Sequence, residues 1–249
     1  MQVLADKKRF RFAFFVSAIL TLLIWVVWLL AELSGDSITG MGIRPREAEG
    51  LTGIVLSPFI HGNFMHLFSN TLPLFILTAL ATYAYRGLFI KVILSIIILG
   101  GTSVWFIGVS GTSHIGASGL VYGLASFLFF SGILRWETRQ LIISAVVVFL
   151  YGSLVWGMLP IEPGVSWEGH LSGGLGGMIV AFYFRKALSW PPVPFVRLDD
   201  PGPAWEPEVF EQEIRHYVKI HLPPDPHYTG NRSVKKADFE VPESRQRNL

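Results

Sequence analysis

The sequence predicts an all-α polytopic membrane protein with six transmembrane helices and both termini on the cytoplasmic side. Three observations carry that reading. Of the 249 residues 51% are hydrophobic and only 15% are charged, where a soluble domain carries about a quarter. Apolar runs of bilayer length recur along most of the chain. The basic residues fall on alternate connections between those runs. The net charge of +2 is too small to point to a nucleic-acid partner. The chain has no cysteine, which removes disulfides, thiolate catalysis and Cys-based zinc sites together.

The first run, 12–31, is uncharged and rich in Leu, Ile, Val and Trp. Twenty helical residues span about 30 Å, one hydrocarbon thickness. It is longer than the apolar core of a signal peptide and has no clear small-residue cleavage site, so it reads as an uncleaved span. Five more runs follow, at 64–84, 92–109, 118–134, 141–159 and 170–184. Each must be helical, because lipid cannot satisfy an open backbone. Lys7, Lys8, Arg9, Arg11, Arg86, Lys91, Arg135, Arg139, Arg185 and Lys186 flank the spans on one side, against Arg44 and Arg46 on the other. That bias puts both termini inside and the loops after the first, third and fifth spans outside. Eleven residues precede the first run, without an Arg/Ser-rich transit pattern, which favours a bacterial plasma membrane over an organelle. Residues 189–249 hold ten of the fifteen prolines and most of the acidic residues. They read as a Pro-rich, mostly disordered cytoplasmic tail after a membrane domain at 1–188. Residues 208–221 have the spacing of one short amphipathic helix.

In such a chain the informative residues are polar ones within apolar spans. Three clusters stand out, all in the outward half. His61, His66 and Asn70 open the second span, and the last two are i, i+4 on one helix face. An interfacial cap explains His61 but not Asn70, two turns into the span. A Gly-rich loop ending Gly116-Ala117-Ser118-Gly119 opens the fourth span. Taken alone, Ser118 reads as a helix cap worth about 1 kcal/mol. Glu168-Gly169-His170 opens the sixth, and His170, Gly173 and Gly177 share a face. Gly119 and Gly123 make a similar small face on the fourth span, and two such faces let helices approach closely. Helix packing explains these glycines and leaves His170 unexplained.

Together the clusters supply what acyl transfer requires. A serine hydroxyl is a weak nucleophile until an adjacent base takes its proton. Ser118 and His170 fit those two roles. His66, Asn70 and the free N–H groups at the start of the fourth helix suit a developing oxyanion. No Asp or Glu lies deep in a span, so the expectation is a Ser–His dyad without a buried carboxylate. Tyr122, four residues after Ser118, can pack on the imidazole, and Glu168, in the outer loop, is a weak orienting carboxylate. His114, four residues before Ser118, could be mistaken for the base. It lies in a loop with no helical face to fix it, and its loss is expected to leave much of the activity.

The ordered pattern His61-x4-His66-x3-Asn70, Gly116-x-Ser118-Gly119 and His170-x2-Gly173-x3-Gly177 on six spans resembles the rhomboid family. The detailed match runs over 51–186. Each motif alone is weak, and GxSG in particular is common. The ordered set on the matched side is specific. The resemblance implies a rhomboid-like fold and an intramembrane serine protease that cuts other membrane proteins in or near their transmembrane segments, toward the outward end, without metal or cofactor. It implies Ser118 and His170 as the dyad, His66 and Asn70 as oxyanion donors, Tyr122 as support for His170 and a structural role for His61. Two alternatives remain at this stage. One is a catalytically silent rhomboid-like protein that binds membrane clients. The other is a small polytopic transporter, which predicts inverted repeats or broken helices; no half-to-half correspondence is visible. A metalloprotease is disfavoured, because His61 and His66 are five apart and no Glu follows the first.

Overall fold

The computed structural model describes residues 2–187, apart from 36, 86, 162 and 163. The tail expected at 189–249, with its short amphipathic helix, lies outside the described residues. Among those residues there are seven α-helices, no strand, and one isolated antiparallel bridge between Ile43 and His114. The helices are α1 (Gln2–Ser34), α2 (Gly53–Leu56), α3 (Phe64–Ala84), α4 (Phe89–Ile107), α5 (Ser118–Arg135), α6 (Thr138–Tyr151) and α7 (Trp167–Tyr183). Five are long and apolar enough to cross a membrane: α1, α3, α4, α5, and α6 with the 3-10 segment that continues it. α7 has 17 residues and is shorter than these.

The boundaries differ from the sequence expectation at several helix ends. α1 runs back to Gln2, ten residues before the uncharged run begins. Helical geometry does not stop where charge starts, since Lys and Arg stems can lie along an apolar surface with their heads in water. α6 ends at Tyr151, and Gly152–Met158 continues as a 3-10 helix where an α-helix was expected through 159. Two glycines in seven residues weaken the α-helix there. α7 begins three residues before 170, because Ser166 caps it and its Oγ accepts from the Gly169 N–H at 3.2 Å.

α5 is the centre of the bundle. Half of its membrane-length window is buried, against 17% for α1 and 11% for α6. It packs on α3, α4, α6 and, most extensively, α7. Phe127, Leu124 and Leu128 of α5 meet Leu74 and Leu77 of α3 and Ile96 of α4 in the apolar core. The α5–α7 contact is nearly backbone to backbone. A Cβ on Gly173 would strike the Gly119 carbonyl, and one on Gly177 the Gly123 carbonyl. The connection between α1 and α3 is folded onto α4. Arg46 donates to the carbonyls of Phe106 at 2.8 Å and Gly108 at 2.9 Å. Trp105 Nε1 donates to the Glu47 carbonyl at 2.8 Å.

Candidate active site

Ser118 is the first residue of α5 and is half-buried. The cap position is Ala117, and no side chain caps this helix. The bland reading of Ser118 as a helix cap is therefore overturned, and its hydroxyl is left for another use. The chain reaching it is held on both sides. Gly116 N–H donates to the Ser57 carbonyl at 2.9 Å, and Ala117 N–H donates to His61 Nε2 at 3.3 Å. Gly116 has φ +106, which suits glycine alone. A Cβ there would also come within 2.6 Å of the His66 ring.

His61 is buried in the turn before α3 and packs edge-on to His66, with ring centroids 5.0 Å apart. Burial, and then the neighbouring His66, push its pKa down to about 4, with the Phe59 carbonyl opposing. A neutral ring is what an Nε2 acceptor requires. Asn63 caps α3 by accepting from His66 N–H at 2.8 Å. One turn further in, buried Asn70 donates from Nδ2 to the His66 carbonyl at 2.8 Å. That bond uses one of its two amide hydrogens and fixes the direction of the other.

His170 lies in the first turn of α7 and is 9% exposed. Its ring stacks on Tyr122, with centroids 4.1 Å apart and planes 9° from parallel. Its Nδ1 is 2.8 Å from the Gly157 carbonyl. A carbonyl only accepts, so Nδ1 carries the hydrogen and Nε2 of the neutral ring has a free lone pair. Sequence reasoning missed Gly157, because a main-chain acceptor has no residue type to announce it. The small side chain is the one trace: a Cβ at 157 would collide with the Tyr122 hydroxyl and lie 3.3 Å from His170 Nδ1. Glu168 was expected in a loop and is instead buried in the first turn of α7. The partner of His170 Nδ1 is the Gly157 carbonyl, not this carboxylate.

Ser118, His170, Tyr122, His66 and Asn70 line one cavity of about 740 Å³, bounded also by Ser166. The structure thus brings together three clusters that are 48 and 52 residues apart in sequence, counted His66 to His114 and His114 to Ser166. Gly119, Gly173 and Gly177 stand behind the cavity in the α5–α7 contact, and Gly116 beneath His66. His114 was expected to be unconstrained, and it is not. It is buried, both ring nitrogens are bonded, and its backbone pairs with Ile43. Burial lowers its pKa, with Glu168 opposing.

Membrane-length apolar helices around a polar cavity define an integral, multi-pass membrane protein with a site among its helices. Residues 48–187 match the Rhomboid domain family. The chain belongs to the rhomboid family. An uncharacterized protein of Mycobacterium bovis is 40% identical over 168 residues, covering 64% of this chain and 70% of its own length. An uncharacterized protein of Mycobacterium tuberculosis gives the same figures. One from Mycobacterium leprae is 37% identical over 171 residues, covering 64% of this chain and 66% of its own.

Proposed function

We propose that the chain is an intramembrane serine endopeptidase acting on transmembrane segments of other proteins, with Ser118 as nucleophile and His170 as general base. The observation that carries this reading is the state of His170. Its ring is stacked on Tyr122 and its Nδ1–H is held by the Gly157 carbonyl, which leaves Nε2 basic, in the cavity that also contains the uncapped hydroxyl of Ser118. In serine proteases of other folds a buried carboxylate fixes that tautomer. Here a peptide carbonyl performs the same task without burying a charge.

Ser118 Oγ attacks the scissile carbonyl while its proton passes to His170 Nε2. The oxyanion is met by the second amide hydrogen of Asn70, by His66, and by free N–H groups in the first turn of α5, where the helix dipole favours negative charge. The imidazolium returns the proton to the leaving amine, and water then hydrolyses the acyl-enzyme by the same route in reverse. Only protons and an acyl group move, so the reaction calls for no cofactor or metal. His61 and Gly116 hold the approach to Ser118, Tyr122 holds His170, and Gly119, Gly173 and Gly177 let α5 and α7 come close enough for the pair to meet. α7 is the sixth span, both termini are cytoplasmic, and the cavity opens to the outer side of a bacterial plasma membrane.

A fluorophosphonate probe tests this directly. The purified protein is expected to be labelled at Ser118, and labelling is expected to vanish in Ser118→Ala and His170→Ala. Ser118→Ala should also stop cleavage of a single-span substrate. Removing a hydroxyl that caps nothing costs about 0.5 kcal/mol or less, so fold and insertion should survive. A folded parent protein that neither labels nor cleaves would favour the silent client-binding reading.

A further inference from the structure

His114 precedes Ser118 by four residues, and Ser166 precedes His170 by four. Between those two upstream positions the structure places a hydrogen bond, His114 Nδ1 to Ser166 Oγ at 2.6 Å. Building on the protease reading above, we propose that this bond is a strut across the outer lip of the cavity that sets the spacing of Ser118 and His170. His114 and Ser166 are then positioning residues, with no proton transfer of their own.

The direction of every bond in the strut can be assigned. Thr112 Oγ1 donates its one hydrogen to the Val109 carbonyl at 2.6 Å. The His114 nitrogen 3.0 Å from that oxygen, Nε2, must therefore be the donor between them. Nδ1 of the neutral ring is then an acceptor, and Ser166 Oγ–H donates to it. The lone pairs of Ser166 Oγ remain for the Gly169 N–H, the capping bond of α7. The chain of donors closes with each hydroxyl hydrogen used once. The opposite tautomer would leave Nε2 facing an oxygen whose hydrogen is already committed.

Both ends of the strut are anchored. At one end His114 N–H and C=O pair with Ile43 C=O and N–H, each at 2.9 Å. The ring sits in a fitted slot, where a Cβ on Gly108 would come within 2.8 Å of Nε2. At the other end the Ser166 carbonyl accepts from the His170 N–H itself at 3.2 Å. The glycine contacts between α5 and α7 fix those helices at Gly119 and below. Beyond that point, toward the outer side, the strut is the side-chain bond that joins the loop leading into α5 to the cap of α7. A displacement of about 1 Å between reacting groups can cost on the order of 10²-fold in rate. A device that holds two chains in register therefore acts on turnover.

The test uses the full chain in detergent or liposomes, with a fluorophosphonate and a single-span substrate as probes. His114→Ala is expected to lower kcat and the labelling rate of Ser118 together, by about 10-fold, a partial loss of register, with KM nearly unchanged. His114→Asn, whose Oδ1 can take the place of Nδ1, is expected to restore most of the loss. Ser166→Ala, which also removes the cap of α7, should be at least as slow as His114→Ala, and the double variant should be no slower than Ser166→Ala alone. The pH profile of the remaining activity should keep the acid limb of the parent, because His170 remains the base. Unchanged labelling in His114→Ala, losses that multiply in the double variant, or His114→Asn as slow as His114→Ala would each overturn the strut. A thermal unfolding midpoint for each variant separates slow chemistry from lost fold, and His114→Asn carries the comparison if His114→Ala does not fold. A parent protein that fails to label overturns the protease reading and the strut with it, whereas a parent that labels while the variants match it overturns the strut alone.

Discussion

At the scale of single residues, the protease reading divides the site into side chains that react and groups that aim them. His66 and Asn70 belong to the first kind only if their donors meet charge that appears in the transition state. His66→Ala and Asn70→Ala are therefore expected to lower kcat by roughly 10²–10³, softened where backbone N–H groups share the load, with little change in KM. Steady-state kinetics on a purified substrate decides it, and a pure rise in KM would make them substrate-binding residues instead. Ser118, His66, Asn70 and His170, which line one cavity, stood out in the sequence because a polar residue inside an apolar span is conspicuous. Gly157 did not, since its part is played by main chain. His114 was visible but its fixed position was not, because its partner Ser166 lies 52 residues away and loop position alone suggested freedom. The cap reading of Ser118 failed for a local reason: Ala117 occupies the cap position.

At the scale of elements, five helices were placed to within a few residues over most of their length by apolar runs alone, and errors gathered at ends. Ends are set by caps and turns, which depend on one or two residues, while spans are set by twenty. The most consequential end is that of α6, whose 3-10 continuation delivers the Gly157 carbonyl to His170. Gly157→Ala is expected to reduce cleavage strongly, because the added methyl meets the Tyr122 hydroxyl and crowds the imidazole. Gly152→Ala, in the same segment, is the control: its Cβ would meet only Val148 Cγ1 at 3.8 Å. Equal activity of the two variants would show that the segment does not aim His170.

At the scale of the whole molecule, the absence of cysteine makes topology directly measurable. Ser37→Cys is expected to react with an impermeant maleimide in intact cells, and Thr138→Cys only after permeabilisation. The reverse pattern would invert the protein in the membrane. On the protease reading, a site among the helices also constrains what it can cut. A stable transmembrane helix hides its carbonyls in i→i−4 bonds, so a substrate must unwind near its outward end. Replacing a Gly or Pro there by Leu should reduce cleavage sharply at unchanged insertion. Equal cleavage of both substrates would mean that unwinding does not limit access.

The Gly157 carbonyl has a further consequence, for heredity rather than chemistry. Where a carboxylate aims a histidine, one altered codon can delete the aiming group and leave the rest intact. An acceptor made of peptide backbone has no codon of its own. It is lost only when the segment carrying it is bent, lengthened or shortened, so a substitution that disarms the aiming must act on the course of the chain between α6 and α7 or on the packing around Gly157.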